Sequence, residues 1–553
     1  MRSQSKHRYR RSAAVLEKLE CRSMLSVVSG ASSPGLAFSD VLAAAPPNPQ
    51  IAVGPSQIVE MVNNGIAVYS KSGALLAKAT LRDALAGLSP GPLLVNPQVT
   101  YDDIAGRFII AVLDIDPATQ NSQLDLLITR GSDLTQGISE IHKIDLDQTI
   151  DFNNVLFYGS SVRMGWNYDS YVFSFSMTAY PDQFTGGVLP VPQIVTIQKS
   201  SLLDGNLATL NVFRQFDRTT YPSQSSPTDP NFLLNAAPVV MHGSHPGDPM
   251  LFVKNVVQGH QDQGYPFPPP PTYTLDRVDL YAGANLLSDA PTFTQLGSQN
   301  LSSQLGGDPA TPPATQPDGS LLKSGDTRIA NAVVRNNHLV FALNVDDGSG
   351  GGGPAVAWSD WDLATLGTGL VYQTGVINPV NAYAFDPAID IAPNGDIGIT
   401  YLQSGPNEFL SAYITGRSAG DPANTLQTPR LLKAGEAIYK SIFDMVPHLI
   451  VVNGNQTISL DPPLGYPVGQ FGGIAVDPVN GSFWAANEYA TAASAVPQAL
   501  SNWGTWIGNF TLTPAPQANP APQAKVTSLI LAKSMPLIRS PIRSARRVID
   551  LVE

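Results

Sequence analysis

Short apolar runs separated by turn residues recur along this chain, and the clearest pair lies at residues 473–486. Ile474 and Val476 alternate with small residues, the sequence Asp-Pro-Val-Asn-Gly follows, and Phe483 and Trp484 open a second apolar run. Asn-Gly between two apolar runs is a strong β-hairpin signal, because both residues tolerate a positive φ. We therefore predict a hairpin here, with Phe483 and Trp484 packed between sheets.

The same two-strand pattern occurs seven times, and each copy is followed by another β-rich run. The hairpins lie at residues 48–62, 96–112, 159–174, 237–253, 329–342, 386–401 and 473–486. The runs that follow them lie at residues 66–70, 124–129, 194–198, 273–280, 355–361, 410–415 and 503–510. Repeated units of short, glycine-punctuated strands predict an all-β fold, a β-propeller with seven blades. The third copy is the weakest, so counts of six and eight stay open.

This repeat sets the predicted domain boundaries. Residues 47–513 form the propeller, and residues 27–46, which are mostly small, are predicted to be a linker. The extensions at residues 1–26 and 514–553 are predicted to be disordered, the latter because it is Pro-rich and basic with no core of its own. The last strand of a propeller often completes the first blade, so we expect residues 503–510 to pair with the strands near Ile51 and Ile66.

The composition fits this fold and excludes several classes of protein. Only 14% of the residues are charged, and 47 glycines and 47 prolines supply turn residues, which suits sheets better than surface helices. A net charge of −12 argues against nucleic-acid binding, which needs a basic face. No apolar run reaches about 18 residues, so no transmembrane helix is expected. Cys21 is the only cysteine, so the body depends on sheet packing rather than disulfides.

The N-terminal segment differs from everything that follows it. Its basic and apolar residues are Arg2, Lys6, Arg8, Arg10 and Arg11, then Leu19-Glu20, Arg22 and Met24-Leu25-Ser26. Because it has no long apolar core, the segment is a poor ordinary secretory signal and fits a disordered basic tail. It also resembles the LE-x-R-x-(M/L)-L-(S/A) segment that follows arginines in many exported and surface proteins of planctomycete bacteria. That resemblance implies export and an extracellular or cell-surface location.

Five stretches of the body carry a second resemblance. They lie at residues 48–69, 99–108, 325–332, 411–436 and 503–507. Together they are similar to a group of bacterial secreted proteins of mostly unassigned function, which implies an extracellular propeller and assigns no catalytic residue. Residues 439–470 depart from that pattern, since a shorter connection is expected there.

Acids and arginines of the body are the candidates for glycan chemistry. A glycoside hydrolase needs two carboxylates across a pocket, and a sialidase-like site also needs an arginine cluster. The candidates are Asp102, Asp103, Asp326, Asp390, Glu488, Arg107, Arg163, Arg328 and Arg417. Residues 477–484 depart from the Ser-x-Asp-x-Gly-x-Thr-Trp pattern of sialidases, so we interpret them as turn chemistry.

Two groups of side chains are candidates for metal binding. The candidate ligands are Asp114, Asp116, Asp145, Asp147, His242 and His245. The two histidines have a His-x-x-His spacing followed by Asp248, although loop histidines are more often simply surface residues. The four aspartates lie in acidic loops, as do residues 346–348, and calcium prefers such oxygens; none matches an EF-hand. Calcium is therefore the one cofactor that the sequence suggests, as one possibility beside no cofactor at all.

No complete catalytic arrangement is present in the sequence. The body has no Gly-x-Ser-x-Gly elbow, no cysteine and no phosphate-binding loop. We therefore favour an exported, monomeric β-propeller that binds a protein or a glycan through its loops, or serves a structural role, without catalysis. The alternative is a carbohydrate-active enzyme, a glycoside hydrolase or lyase, with its site at the central channel. Two acids in the channel mouth beside an arginine or tyrosine would favour that alternative.

Overall fold

The structure is a computed structural model that describes most of the body of the chain. The described residues are 26–41, 46–150, 155–179, 191–203, 210–214, 236–258, 274–288, 290–300, 312–325, 327–347, 352–441, 448–452, 455–459, 465–469, 471–492 and 501–513. The predicted export segment 1–26, apart from Ser26, and the predicted tail 514–553 lie outside them. The all-β prediction is confirmed. Within the described ranges, the helices are single turns at Phe38–Val41, Leu81–Ala84 and Lys199–Leu203, with 3₁₀ turns at Ala86–Leu88, Leu134–Gln136 and Leu363–Thr365.

Three antiparallel sheets follow one another through the first part of the chain. After the N-terminal strand β1 (Val27–Ala37), sheet 1 contains β2 (Gln50–Val53), β3 (Gln57–Val62), β4 (Gly65–Ser70) and β5 (Leu75–Thr80). Sheet 2 contains β6 (Leu93–Asp102), β7 (Arg107–Asp116), β8 (Asn121–Thr129) and β9 (Ile138–Asp145). Sheet 3 contains β11 (Val155–Trp166), β12 (Ser170–Ala179), β13 (Val191–Gln198) and β14 (Leu210–Arg214), with β10 (Gln148–Ile150) beside β11.

Four more sheets are built from the second part. Sheet 4 contains β15 (Ala237–Pro238), β17 (Met250–Gln258), β18 (Thr274–Ala284) and β19 (Thr292–Asn300), and β16 is Val240–Met241. Sheet 5 contains β22 (Ala332–Arg335), β23 (His338–Asp346), β24 (Pro354–Asp362) and β25 (Val371–Ile377). Sheet 6 contains β26 (Tyr383–Ile391), β27 (Ile397–Gly405), β28 (Glu408–Arg417) and β29 (Arg430–Lys433). Sheet 7 contains β33 (Gly473–Val476), β34 (Phe483–Ala490), β35 (Trp503–Leu512) and β1.

The first strands of these sheets lie side by side in a cyclic order. Strand β2 contacts β6, β6 contacts β11, β11 contacts β15 and β16, β16 pairs with β22, β22 contacts β26, β26 contacts β33, and β33 contacts β2. Strand β16 pairs in parallel with β11 and with β22, and so joins sheets 3 and 5 into one continuous ten-stranded sheet. Side chains near the ends of these strands, although far apart in sequence, therefore converge around one axis.

Two predictions about the termini of the body are wrong. Residues 27–46, predicted to be a linker, contain β1, and β35 pairs with β1 and β34 rather than with the strands near Ile51 and Ile66. The N-terminal strand therefore completes the last sheet. An unpaired outer edge on β35 would expose a row of backbone donors and acceptors, which β1 satisfies. Its sequence, VVSGASSPGLA, lacks apolar alternation because most of its side chains face solvent or are half-buried.

Buried side chains of sheet 1 form hydrogen bonds that stabilise the pairing of β1 with β35. The Glu60 carboxylate of β3 accepts hydrogen bonds from the backbone N–H of Leu36 (3.1 Å), from the Tyr69 hydroxyl (2.7 Å) and from the Thr505 hydroxyl. Leu36 lies on β1, Tyr69 on β4 and Thr505 on β35, so the carboxylate on β3 links four strands of two sheets. Burial is the largest influence on the pKa of Glu60 and raises it, and the three hydrogen bonds oppose that rise.

The hairpin at residues 473–486 forms as predicted, with one difference in its turn. Only Gly481 has a positive φ (72°), whereas the Asn480 side chain accepts a hydrogen bond from the backbone N–H of Ser482. Phe483 stacks on Phe510 of its own sheet with centroids 5.2 Å apart, and the predicted packing between sheets is confirmed by its shared core with Ala388 of sheet 6. It also lies so close to Gly398 that a Cβ there would come within 2.5 Å of the ring.

A small additional sheet packs where the first strands begin. It contains β20 (Ala314–Thr315), β21 (Leu321–Lys323) and β32 (Tyr466–Pro467), and a separate hairpin contains β30 (His448–Val452) and β31 (Asn455–Ser459). We call β20, β21 and β32 the cover sheet. Leu322 and Val468 are buried in the same core as Phe385 of sheet 6, and the Ser404 hydroxyl donates to the Thr315 carbonyl (3.0 Å).

Candidate functional site

A cavity of about 340 Å³ lies between the first strands. Most of its lining consists of backbone and apolar side chains from β2, β6, β22, β26 and β33. Its ionisable side chains other than Tyr101 are Asp103, His242, Arg335 and Asp390, each at or near the end of a first strand. The charged side chains are therefore concentrated at one mouth of an otherwise neutral cavity. Such a convergence of charged groups in a pocket marks a candidate active or binding site.

Asp103 owes its position to the turn that follows β6. Gly106 has a φ of 66°, and its backbone N–H donates to the Asp102 carbonyl (2.8 Å), which closes the turn tightly. The Asp102 carboxylate accepts hydrogen bonds from the backbone N–H groups of Ile104 and Ala105 (both 3.0 Å). Asp102 is fully buried, whereas the Asp103 side chain lines the cavity and is 28% exposed.

His242 and Arg335 meet Asp103 because of the register of β16 and β22. Met241 pairs with Val334, and the backbone N–H of His242 donates to the Val334 carbonyl (2.9 Å), so the next residue of each strand faces the mouth. Nδ1 of His242 lies 2.8 Å from Oδ2 of Asp103, and Nη1 of Arg335 lies 3.8 Å from the same oxygen. Nε of Arg335 donates to the Ile391 carbonyl (3.0 Å), which fixes the guanidinium.

The two carboxyls of the cavity have pKa values shifted in opposite directions. Burial acts to raise the pKa of Asp103, but the His242 hydrogen bond and the charges of His242 and Arg335 outweigh it and leave that pKa lowered. Burial raises the pKa of Asp390, although the charges of His242 and Arg335 and hydrogen bonds from Ile391 and Val476 oppose this. Opposite shifts in neighbouring carboxyls are the usual basis for separate acid and base roles.

A buried layer behind the mouth holds His242 in place. The Asp102 carboxylate pairs with Nζ of Lys199 (2.6 Å) and accepts from the Tyr171 hydroxyl (2.7 Å). The Lys199 ammonium also lies 4.3 Å from the ring centre of Trp166, and that ring meets the His242 ring edge-on at 5.0 Å. Burial lowers the pKa of Lys199, and the charge of Asp102 opposes this. The layer gives the His242 ring a fixed wall.

The structure brings together only part of the predicted set of acids and arginines. Asp103 and Asp390 line the cavity, Asp102 supports its wall, Glu488 is buried elsewhere on β34, and Asp326 lies outside the described residues. The four predicted arginines do not line the cavity. Their partners are Ser139 for Arg107, the Ile329 carbonyl for Arg163, Ser161 for Arg328 and the Asp421 carbonyl for Arg417.

Arg335, and the role of His242 as a partner of an acid, were missed by the sequence reasoning. His242 directly follows β16, within the fourth copy of the repeat, and Arg335 ends β22, the first strand of the fifth copy. Aligning all copies by the last residue of the first strand places both at the same mouth. The repeat could therefore have identified both residues, because each lies at or directly after the end of a first strand.

The predicted metal ligands are dispersed and paired with other groups. Asp114 accepts from Gly91 and Lys143, Asp116 from Ala118, Asp145 from Asp147, and Asp147 from Ser122. His242 pairs with Asp103, whereas the His245 side chain is 83% exposed and lies 3.6 Å from Asp248. Among the described residues, no three His, Cys, Asp or Glu side chains come together as a ligand set.

Comparisons with known proteins give structural neighbours but no family. No family model matches the chain. No curated protein matches it. None of the described helices is long and apolar enough to cross a membrane.

Three of the similar solved structures are enzymes that act on glycans. The GH93 α-L-arabinofuranosidase of Fusarium graminearum has 9% identity and a TM-score of 0.34, over 87% of this chain and 97% of the other. The Trypanosoma rangeli sialidase has 7% identity and a TM-score of 0.35, over 87% and 60%. A PL25 ulvan lyase has 8% identity and a TM-score of 0.36, over 70% and 79%.

The prediction of a binding or structural module without catalysis is contradicted by these comparisons, since these neighbours are carbohydrate-active enzymes. The alternative prediction, a carbohydrate-active enzyme with its site at the central channel, stays a proposal. Asp103 and Asp390 come from different copies of the repeat, so the sequence alone does not show that they line one cavity.

Proposed function

We propose that the protein is a carbohydrate-active enzyme that cleaves a glycosidic bond at the mouth formed by Asp103, His242, Arg335 and Asp390. One observation carries the proposal: two carboxyls line one cavity, and their surroundings shift their pKa values apart. Hydrolysis of a glycosidic bond needs one carboxyl that holds a proton and one that is ionised. Arg335 lies beside the Asp103 carboxylate, and acids beside an arginine in the channel mouth are the feature that favours an enzyme over a binding module.

In this proposal Asp390 is the general acid. Its raised pKa keeps a larger fraction of the carboxyl protonated near neutral pH, so it can donate a proton to the departing sugar oxygen. The hydrogen bonds from Ile391 (2.7 Å) and Val476 (2.9 Å) fix the orientation of the group. Its side chain therefore needs no rearrangement to present the proton to the cavity.

Asp103 is the ionised partner. Its lowered pKa keeps it charged, so it can act as a nucleophile or as the base that activates water. His242 holds one oxygen of the carboxylate, and Arg335 adds positive charge beside it. The same charges would stabilise a negatively charged group of a substrate or of the transition state.

The architecture that supports this role is, we propose, a seven-bladed β-propeller. The support is the cyclic order of the first strands and the completion of the last sheet by β1. A cavity of about 340 Å³ is small for a ligand site and suits roughly one or two sugar rings. An extracellular location stays a proposal that rests on the resemblance of the N-terminal segment, and a glycan is the ligand class that fits the cavity chemistry.

A screen of polysaccharides and oligosaccharides tests the proposal. Reducing-end release and unsaturated-product absorbance are measured for the full chain, for D103N and for D390N, with D116N as a matched control on an exposed turn. We expect cleavage of at least one glycan, retained in D116N and reduced roughly 100-fold or more in D103N and D390N. Unsaturated products would assign a lyase, with Asp103 as the base.

Cleavage that persists unchanged in D103N and D390N would overturn the assignment of these residues. Absence of cleavage over a panel that includes arabinans, sialosides and uronic-acid polymers, by a chain that is folded, would overturn the enzyme itself. Far-UV circular dichroism and the midpoint of thermal unfolding establish folding for each variant, because an Asp to Asn change preserves shape.

A further inference from the structure

Seven turns surround the charged mouth of the cavity, one from each sheet. They connect the first strands to the strands that follow, and they contribute Asp103, His242, Pro393 and Pro478 to the lining of the cavity. A substrate that extends out of the cavity must therefore cross some of these turns. The turns lie at residues 54–56, 103–106, 167–169, 242–249, 336–337, 392–396 and 477–482.

Three of these turns expose a large apolar side chain. The side chains of Ile104 on sheet 2, Tyr168 on sheet 3 and Val479 on sheet 7 are 37%, 41% and 69% exposed. We call these three side chains the apolar rim. Sheets 7, 1, 2 and 3 are successive neighbours through β33, β2, β6 and β11, so the rim follows one side of the mouth. The turns of sheets 4, 5 and 6, on the other side, expose glycines, prolines, His245 and asparagines at positions 336, 337 and 394.

Ile104 and Val479 lie directly beside the cavity on turns that are held by hydrogen bonds. Ile104 follows Asp103 and Val479 follows Pro478, and both of these preceding residues line the cavity. The backbone N–H of each donates to the aspartate side chain two residues before it, at 3.0 Å and 2.9 Å. Their positions at the mouth are therefore fixed in the absence of a ligand.

Tyr168 lies on a turn that is bonded to the loop carrying His242. The residue before it donates to the Asp248 carbonyl (2.7 Å), and the residue after it accepts from the backbone N–H of Gly247 (2.6 Å). The ring of Trp166, where β11 ends, contacts the His242 ring at 5.0 Å. The turn that presents Tyr168 is thus held against the wall of the charged site, although a tyrosine exposed to this extent contributes little to the core.

We propose that the apolar rim binds sugar rings of a polysaccharide chain outside the cavity. The inference rests on the proposed function, which supplies a glycan as the ligand, and it names the substrate class as a polymer. A cavity of about 340 Å³ holds roughly one or two sugar rings, so the remaining rings of a chain pass over the turns. Each sugar ring has apolar C–H faces that pack on aromatic and aliphatic side chains, while its hydroxyls stay in water.

The dimensions of the rim favour a glycan over a protein partner. Stable interfaces between proteins bury roughly 1,200–2,000 Å² and have a contiguous apolar centre. Here three separate apolar side chains stand beside a charged cavity, which suits a narrow chain that contacts each in turn. Because the turns are held in place before binding, a chain loses less free energy to the ordering of the protein.

Affinity electrophoresis of the full chain tests this inference. D390N, in which cleavage is expected to be slow, is run in native gels that contain arabinan or polygalacturonate, a neutral and an anionic polymer. We expect at least one polymer to retard it. Adding Y168A should weaken the apparent affinity about fivefold or more, because a large apolar surface is lost, whereas Y168F should keep it. Y372A is the matched control, since Tyr372 is 39% exposed but lies on β25, the outermost strand of sheet 5.

Reducing-end release by the wild type, measured separately, distinguishes this inference from the proposed function. Retardation that depends on Tyr168 without any cleavage supports the rim and contradicts the enzyme. Cleavage together with equal retardation of Y168A and Y372A supports the enzyme and overturns the rim. Absence of retardation by both polymers also overturns the rim. Sedimentation of the wild type tests the other occupant, because dimers that Y168A dissociates would assign the rim to a second copy of the chain.

Discussion

Nδ1 of His242 lies 2.8 Å from Oδ2 of Asp103, although 139 residues separate them in the chain. The contact exists because a short strand, β16, runs parallel to β22 and ends at the same mouth as β6. The geometry of the ring, rather than a local motif, thus creates the charged site.

Removing His242 should shift the pH dependence of catalysis. The hydrogen bond and charge of His242 lower the pKa of Asp103, and this carboxyl must be ionised to act. In H242A its pKa rises, so the acidic limb of the kcat/KM profile moves to higher pH. H245A, at an exposed histidine, should leave the limb in place. An unchanged limb in H242A would mean that His242 does not control Asp103.

Removing Lys199 should destabilise the protein strongly. Lys199 is the buried cationic partner of Asp102, and its loss leaves a buried carboxylate without a counter-charge, which costs about 3–5 kcal/mol. Urea unfolding of K199M measures this loss. K78M, which removes an ion pair between partly exposed side chains, should change the free energy of unfolding far less. Equal small effects in both variants would show that the Asp102–Lys199 pair contributes little.

The N-terminal strand should be needed for cooperative unfolding. A chain that begins at residue 38 lacks β1 and exposes the outer edge of β35, whereas a chain that begins at residue 26 keeps it. We expect the first to unfold at a lower temperature with a broader transition than the second, measured by calorimetry. Identical transitions would contradict the closure of sheet 7 by β1.

Glu60 should make stability depend on pH. Burial raises its pKa in the folded state above the usual value, so the folded protein holds this proton to higher pH than the unfolded chain. Stability from this group is therefore greatest below the unfolded pKa and falls as pH rises towards the folded pKa. E60Q, which cannot titrate, should lose less stability than the wild type over that range. Parallel curves for the two proteins would exclude this role.

Asp125 should also make the protein less stable as the pH rises, over a defined range of pH. Burial, and then the charge of Asp114, raise the pKa of Asp125 to about 7, while Lys143 opposes this. The folded state thus keeps a proton that the unfolded chain releases near pH 4, and stability declines between about pH 4 and pH 7. D125N should flatten the decline, whereas D116N should not. The free energy of unfolding from urea titrations at several pH values measures it.

The repeated hairpins could be predicted because they depend on local patterns. Each hairpin carries its own apolar alternation and turn residues, as residues 473–486 illustrate. The ring closure could not, because β1 pairs through its backbone and presents small, largely solvent-facing or half-buried side chains without alternation. Backbone hydrogen bonds do not require particular residue types, so this pairing has no recognisable sequence pattern.

The candidate site was predictable only in part. Asp103 and Asp390 stood among the candidate acids, but nothing local separated them from Asp102 or Glu488. What separates them is burial and register, since Asp102 is neutralised by Lys199 while Asp103 faces His242. For the candidate metal ligands, acidic spacing in a loop does not show whether a carboxylate bonds to its own turn, as Asp116 does.

The central claim is that Asp390 donates a proton and Asp103 acts as the ionised carboxylate on one glycosidic bond. The most direct measurement is kcat/KM on two glycosides of the same sugar, one with a poor leaving group and one with dinitrophenolate, which needs no proton. D390N should lose roughly 100-fold or more on the first and little on the second, and D103N should lose activity on both. Wild-type rates in either variant on both substrates would contradict the claim.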